Sequence, residues 1–525
     1  MKQPSVMGHS FSEIPNVDMH RSSFDRSHGL KTTFDGGFLV PILVDEALPG
    51  DSFSLNMSGF ARLATPIKPV MDNLHMETFF FAVPYRLVWE NWEKFNGAQD
   101  DPGDSTDFLI PQYNIQGAIE NGTLADYMGL PTDITPGSID FNILHFRAYQ
   151  LVFNTWFRDQ NLTNSVPIET GDGGDASGVL SLRRRSKRHD YFTSSLPWPQ
   201  KGDNPVLLPL GDRAPIAAFL GNDLNAVDIG KLNNPDDHYS LDSSGVNVTY
   251  ADQVGPPDLN DLLYADLSEA TSATINELRQ AFQIQRMFEK DARAGTRYIE
   301  VIKSHFGVTS DDARLNRPEF LGGGSSNITI TPIPQTSETD PSGPDASPQA
   351  NLAGYGTAVL SGHGFSKSFT EHCLILGLVN VRADLTYQAG LERMWTRQTR
   401  FDYYWPSLAL IGEQIVKKEE IFYTGNIQDG DVWGYQERYA EYRYFPSKIT
   451  GQFRSNYTAS LDVWHLSQDF GTQPSLNNNF IQDDPPIDRI IAVPSEPHFL
   501  LDCHFSYRCA RPMPTFGVPG LIDHF

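Results

Sequence analysis

Two segments near opposite ends of the chain alternate apolar and polar residues with a period of two. Asp51 to Leu63 sets Phe53, Leu55, Met57, Ala61 and Leu63 on one face, and Ser52, Ser54, Asn56, Ser58 and Arg62 on the other. Phe499 to Cys509 does the same, with Phe499, Leu501, Cys503, Phe505, Tyr507 and Cys509 opposite Asp502, His504, Ser506 and Arg508. Such alternation predicts half-buried strands. Leu74 to Val83 is more aromatic and reads as a strand covered on both sides. His363 to Val381 is β-rich, with Cys373 to Leu376 and Leu378 to Val381 around Gly377. Strands this far apart in sequence suit a Greek-key sandwich, where neighbours along the chain need not be neighbours in space.

Helices and long loops fall between these strands. Asp140 is placed to cap a buried helix over Phe141 to Arg158. Thr274 and Glu277 form a capping box for a second helix, which runs to about Gly295, with further helix near Tyr298 to His305. A short amphipathic turn is expected around Arg86 to Phe95. Asp100 to Gly137 and Leu321 to Thr357 read as loops, and Gly322-Gly323-Gly324-Ser325 as a flexible link. Gln200 to Leu263 differs in kind: ten Asp, no Glu, and only Lys201, Arg213 and Lys231 as cations. Loops that long in a compact domain are functional or disordered.

The chain has 525 residues, 65 of them acidic against 40 basic, a net charge of −25. Tight binding to nucleic acid draws on phosphate neutralisation, so the balance argues against a protein that grips DNA unaided. Nothing approaches a membrane span, and MKQPSVMGHS lacks the apolar core of an export signal. The three cysteines, Cys373, Cys503 and Cys509, form no C-x-x-C pair; Cys503 and Cys509 fit as small buried hydrophobes.

One stretch, GYQERYAEYRYFPSKITGQFRSNYTASLDVWHLSQDF from Gly434 to Phe470, is dense in Tyr, Arg and Phe. These types gather where proteins bind proteins, though a buried aromatic core reads the same way. With IPNVDMHRSSFDRSH (Ile14 to His28), TTFDGGFLVPILVDEALPGD (Thr32 to Asp51), FARLATPIKPVMDNLHMETFFFAVP (Phe60 to Pro84), FRAYQLVFNTWFRDQNL (Phe146 to Leu162) and RFDYYWPSLALIGEQ (Arg400 to Gln414), it resembles the major capsid proteins of gokushoviruses. Those are small single-stranded DNA bacteriophages of the microvirus family.

The resemblance implies a mainly β chain: an antiparallel, eight-stranded jelly-roll β-sandwich with long loop and helix insertions, one domain over 1–525. It implies sixty copies in an icosahedral virion shell around circular single-stranded DNA, assembled in the host cytoplasm. Residues 200–263 would then be an insertion loop forming a surface protrusion at the three-fold axis. Its Asp223, Asp228, Asp236, Asp237, Asp242 and Asp252 are candidates for attachment to a host receptor. Residues 1–50 read as an N-terminal arm that laces subunits together, with Phe24 and Phe34 docking on a neighbour; the competing reading makes Arg21, Arg26, His28 and Lys31 a second DNA-facing run whose Phe24 and Phe34 stack on bases. Tyr435, Arg438, Tyr439, Tyr442, Arg443, Tyr444 and Arg454 are the candidate inter-subunit contacts. Arg183, Arg184, Arg185, Lys187 and Arg188 form the one dense cationic run and are the candidate DNA-facing residues, against an ordinary solvated loop. A small basic viral protein is the expected neutraliser of the genome.

Catalytic spacing is absent. There is no H-E-x-x-H, G-x-S-x-G or Walker loop, and no enzyme activity, cofactor or metal site is expected. GDGGDASG (Gly171 to Gly178) approaches a calcium loop but lacks its order and closing Glu. The competing reading is a secreted-type β-sandwich that binds or cleaves carbohydrate; it would need an export signal and a carboxylate pair in a cleft.

Overall fold

The structure, a computed structural model, describes residues 20–132, 138–199, 213–215, 228–231, 234–244, 247–250, 264–266, 275–295, 297–309, 316–338 and 349–516. The chain forms two compact units, one of residues 1–199 and 296–525, the other of residues 200–295.

The strands of the first unit are β1 (Ser22–Asp25), β2 (His28–Phe34), β3 (Val40–Ala47), β4 (Ser52–Leu63), β5 (Leu74–Pro84), β6 (Gln112–Gln116) and β7 (Ser138–Asn142). The second unit contributes β8 (Arg213–Pro215), β9 (Asp228–Lys231), β10 (Asn234–Ser244), β11 (Asn247–Tyr250) and β12 (Tyr264–Asp266). The first unit resumes with β13 (Glu319–Pro334), β14 (Leu352–Ser368), β15 (Cys373–Ala383), β16 (Glu413–Lys417), β17 (Val432–Glu437) and β18 (Phe499–Arg511).

Nine of these form one curled antiparallel sheet, ordered β1-β18-β4-β14-β13-β5-β15-β3, with β2 also on β18. It folds into a sandwich through β13. The second half of β13 pairs with β14, from Thr329↔Thr357 to Pro334↔Leu352. Its first half pairs with β5, from Glu319↔Ala82 to Ile328↔Leu74. The first leaf is therefore β1/β2-β18-β4-β14 and the second β5-β15-β3, with β13 shared. The β-sandwich expectation holds, with nine strands rather than eight.

Alternation sets the layers. Phe53, Leu55 and Met57 of β4 and Cys503, Phe505 and Tyr507 of β18 face Phe80 of β5 and Ile375 and Val379 of β15 in one buried core. All three cysteines are buried free thiols. The other side of the second leaf is covered too. Phe81 and Val83 of β5 and Leu374, Leu376 and Leu378 of β15 pack against Trp89, Phe146, Tyr149 and Phe153. The expected double cover over Leu74 to Val83 is thus met. At the open edge, Asp45 of β3 accepts from Arg26 Nη1 and Nη2 at 2.5 and 2.8 Å and from the Tyr507 hydroxyl at 2.8 Å, closing the leaves on each other.

Several expectations are corrected. The helix expected over Phe141 to Arg158 spans Leu144–Val152 and runs on into a wider turn to Phe157. Asp140 lies on β7 and accepts from Asn114; Asn142 Oδ1 takes the Leu144 amide at 2.9 Å instead. The helix is buried as expected, Arg147 included. Leu321 to Thr357 is not a loop region: β13 and the start of β14 lie there. Gly323 is no flexible link, since a Cβ on it would sit 2.1 Å from the Thr78 carbonyl oxygen. Glycine is what lets β13 approach β5 that closely. Within the expected N-terminal arm, residues 20–47 carry three strands of the sandwich. Phe34 is 2% exposed in that core and is not free for a neighbour, while Phe24 is half-buried against it.

The second unit has a three-stranded sheet β11-β10-β9, a β8–β12 pair and a helix, Ile275–Ala294, with the boundaries the sequence predicts. The segment read as a 200–263 loop thus includes paired strands. A helix at Tyr298–Phe306 also matches its expectation.

Candidate functional site

The Tyr- and Arg-rich stretch splits into buried and exposed parts. β17 pairs with β16 and, through Tyr435, with Leu196 by two backbone bonds of 2.8 Å. The chain then turns at Tyr439, whose φ of 64° is a left-handed conformation that bulky residues rarely adopt. Tyr439 is 3% exposed, its amide donating to Gln414 Oε1 and its hydroxyl to the Phe401 carbonyl. Tyr444 stacks on Tyr191 at 5.7 Å. Tyr435, Tyr439 and Tyr444 therefore serve the fold of this subunit. Tyr442, Arg443 and Arg454 are exposed, and Arg438 is half-buried over the Tyr439 ring.

Beside Tyr442 the structure adds a segment to which the sequence reading gave no role. Trp395, Phe401, Tyr403 and Tyr404 are 71, 56, 54 and 50% exposed, and Trp405 also faces solvent. The Arg397 guanidinium lies 5.3 Å over Tyr403 and 4.3 Å over Tyr442; Arg400 lies 5.2 Å over both Phe401 and Trp405. Asp402 ties the turn by accepting from the Thr399 and Gln398 amides, which hold its carboxyl below the usual range. The signal was present in the sequence as RMWTRQTRFDYYW. The result is a ridge of rings interleaved with guanidinium groups.

Its charges are mostly paired at home. Arg443 bonds Glu437 at 2.6 Å, Lys448 bonds Glu392 at 2.6 Å, and Arg397 and Arg393 flank the half-buried Glu441. Arg393 also meets Glu420 at 3.0 Å, a carboxyl whose pKa burial pushes up despite that cation. A surface of rings and neutralised guanidiniums offers contact area rather than net positive charge. That suits a protein partner better than phosphate.

The cationic run is largely built into the fold. Arg183 donates to Gln150 and the Gly178 carbonyl. Arg184 bonds Asp484 at 2.6 Å and lies 4.1 Å over Phe38. Arg185 bonds Glu77, which also accepts from Arg382 at 2.7 Å. Lys187 is buried, bonds Gln468 at 2.9 Å, and desolvation lowers its pKa to about 8. Only Arg188 of the five is exposed. GDGGDASG is likewise occupied by protein donors: Asp172 accepts from Trp89 and Asn91, and Asp175 from the fully buried Arg147 at 2.7 Å.

Of the candidate attachment residues, Asp228 lies on β9 and Asp236, Asp237 and Asp242 on β10, with Asp242 opposite Thr249. Asp223 and Asp252 lie outside the described residues. No helix among the described residues is long and apolar enough to cross a membrane.

The sequence matches known proteins along nearly its whole length. The family model described as capsid protein (F protein) matches residues 12–521. The chain is 47% identical to the capsid protein VP1 of Bdellovibrio phage phiMH2K, with 98% of each chain covered. It is 42% identical to the capsid protein VP1 of Chlamydia phage 1 and 36% identical to that of Spiroplasma virus 4, with 99% of each chain covered in both cases. The carbohydrate-directed alternative finds no support in these matches. With a sandwich closed by both ends of the chain and matches that run its full length, the chain belongs to the capsid protein (F protein) family and is a major capsid protein of gokushovirus type.

Proposed function

We propose that the ridge from Trp395 to Tyr442 is where one subunit meets the next. A capsid protein works by assembling with its own copies into the shell of the virion. In this reading sixty copies close an icosahedral shell around circular single-stranded DNA in the host cytoplasm, through patches that meet unlike patches around symmetry axes. The observation that carries it is the exposure of Trp395, Phe401, Tyr403 and Tyr404 beside Tyr442 on a surface whose charges are already paired. Burying such rings between subunits gains roughly 25 cal/mol per Å² of apolar area, less the entropy of association. Many modest contacts then sum to a stable shell assembled through reversible steps.

The finer parts of the reading rest on chemistry and on the family. The acidic segment 200–263 forms the outward protrusion and meets the host receptor, its Asp-rich composition keeping it away from packaged phosphate. Of the cationic run, the exposed Arg188 is the residue we assign to DNA. A small basic viral protein neutralises the rest of the genome.

The test is a pair of variants seen by electron microscopy and sedimentation. Trp395→Ser with Phe401→Ser is expected to give folded, soluble subunits and few particles. Tyr444→Ala, which removes an internal stack, is expected to lower the melting temperature instead. Unchanged particle yield in the double variant would remove the ridge from the interface.

A further inference from the structure

The two outer faces of the sandwich differ in charge as well as in cover. Residues 85–180, which supply the layer over the second leaf, hold fourteen acidic against four basic residues, a net of −10. On the strands that belong to the first leaf alone, β1, β2, β4, β14 and β18, the outward residues include Lys31, Arg62 and Arg508 against Asp25 and Asp502, a net of +1, while Lys367 and Arg511 lie on the core side, paired with Glu319 and Asp51. In a chain of net −25 this face escapes the acidic excess.

That face is bare. Along β4 the outward residues Ser54, Asn56 and Ser58 are exposed, and β4 and β14 carry no carboxylate at all. Arg62, His504 and Arg508 are exposed on the same side. Its two acids are offset: Asp502 bonds Lys31 at 3.1 Å, and Asp25 lies in the field of Arg508 while accepting from Ser27. Apolar groups stand among the hydroxyls. Phe60 and Val359 are directly paired across β4 and β14 and are 51 and 69% exposed. At one end Phe60, Arg62 and Leu500 border a groove of about 820 Å³ whose far wall is the loop Asn121 to Tyr127, including Asp126, whose carboxylate is engaged by the Gly122 amide.

We infer that the open face of the first leaf is the wall that lies against the packaged strand and binds single-stranded polynucleotide. The inference rests on the shell reading above. Electrostatics selects the occupant: a polyanion enclosed by this subunit lies lower in energy against the positive leaf than against the acidic layer. Arg62 and Arg508 meet phosphates, hydroxyls and the Asn56 amide accept or donate to sugar and base edges, and Phe60 offers a ring on which an unpaired base stacks. Such contacts take any sequence, as a wall repeated around a whole genome requires.

The probe is a fluorescent thirty-nucleotide oligo-dT, titrated against the purified full chain at several salt concentrations. Arg62→Glu with Arg508→Glu is expected to weaken binding at least tenfold and to flatten its salt dependence by roughly one to two phosphate equivalents. Particles of this variant should form but hold less DNA by absorbance ratio. Where charge reversal blocks particle formation, ultraviolet crosslinking of wild-type particles decides, with adducts expected on peptides containing Phe60 or Tyr355, which is 37% exposed on β14 in phase with Val359. Unchanged affinity and DNA content, or adducts confined to the Trp395–Tyr442 ridge, would overturn the inference. Should the wild-type chain form no particles, the shell reading fails, and the oligonucleotide titration still decides the binding face.

Discussion

On the outer side of the second leaf, Phe81, Val83, Leu376 and Leu378 are each at most 2% exposed; on the outer side of the first, Leu500, Phe60 and Val359 are between 50 and 69% exposed. Both leaves share one core, so the contrast lies wholly in where the chain goes after each strand. It leaves β5 into an insertion that packs back on the second leaf, with Trp89, Phe146 and Tyr149 as its contact surface. No such insertion comes after β4 or β14 to cover most of the first leaf. The chain therefore has one side that folding buries and another that folding leaves exposed. A leaf buried on both faces reads as continuous apolar sequence; a leaf bare on one face reads as alternation.

Breaking the covered side should have the largest effect. Arg147 is fully buried and holds Asp175 together with the carbonyls of Val88 and Gly171. Arg147→Met would strand a buried carboxylate, and a loss of about 3–5 kcal/mol is expected in urea unfolding followed by tryptophan fluorescence. Leu376→Ala, in the same layer, should cost about 3 kcal/mol by the same measurement. A value near zero for either would mean that the layer is not closely packed.

Glu77 sharpens the contrast through pH. Burial alone would raise its pKa, but the Arg382 and Arg185 guanidiniums outweigh that and hold it down at about 2. A carboxyl lowered on folding adds stability above its unfolded value, and that stability is lost as pH falls towards the folded value. Wild-type stability should therefore drop between about pH 4.5 and 2, and Glu77→Gln should flatten that drop, with a loss at neutral pH comparable to that of Leu376→Ala. An unaltered acid limb would mean that Glu77 is not the group that titrates. Smallest of all, Leu500→Ala on the bare leaf should change stability by no more than about 0.5 kcal/mol.

The sequence was most legible where burial repeats with a fixed period. The strands around Phe53 and Phe505, the buried thiols and the Ile275–Ala294 helix all follow from that. It misled where one residue type serves two purposes. Glycines in Gly322 to Gly324 read as a link, but they sit in β13 because the Gly364 and Thr78 carbonyls and the His363 ring leave no room for a Cβ. The cationic run read as free because its partners Glu77 and Asp484 come from remote parts of the chain. Tyr439 and Tyr442 are three residues apart and identical in type, yet one is interior and the other exposed. Only the turn at Tyr439 separates them, and composition does not encode it.

The shared strand Glu319–Pro334 has a mechanical consequence. Because one backbone is hydrogen-bonded into both leaves, sliding one over the other would tear two ladders at once. Strain from a compressed polymer pushing outward would then be borne along a continuous covalent seam, and yielding would begin in the connecting turns.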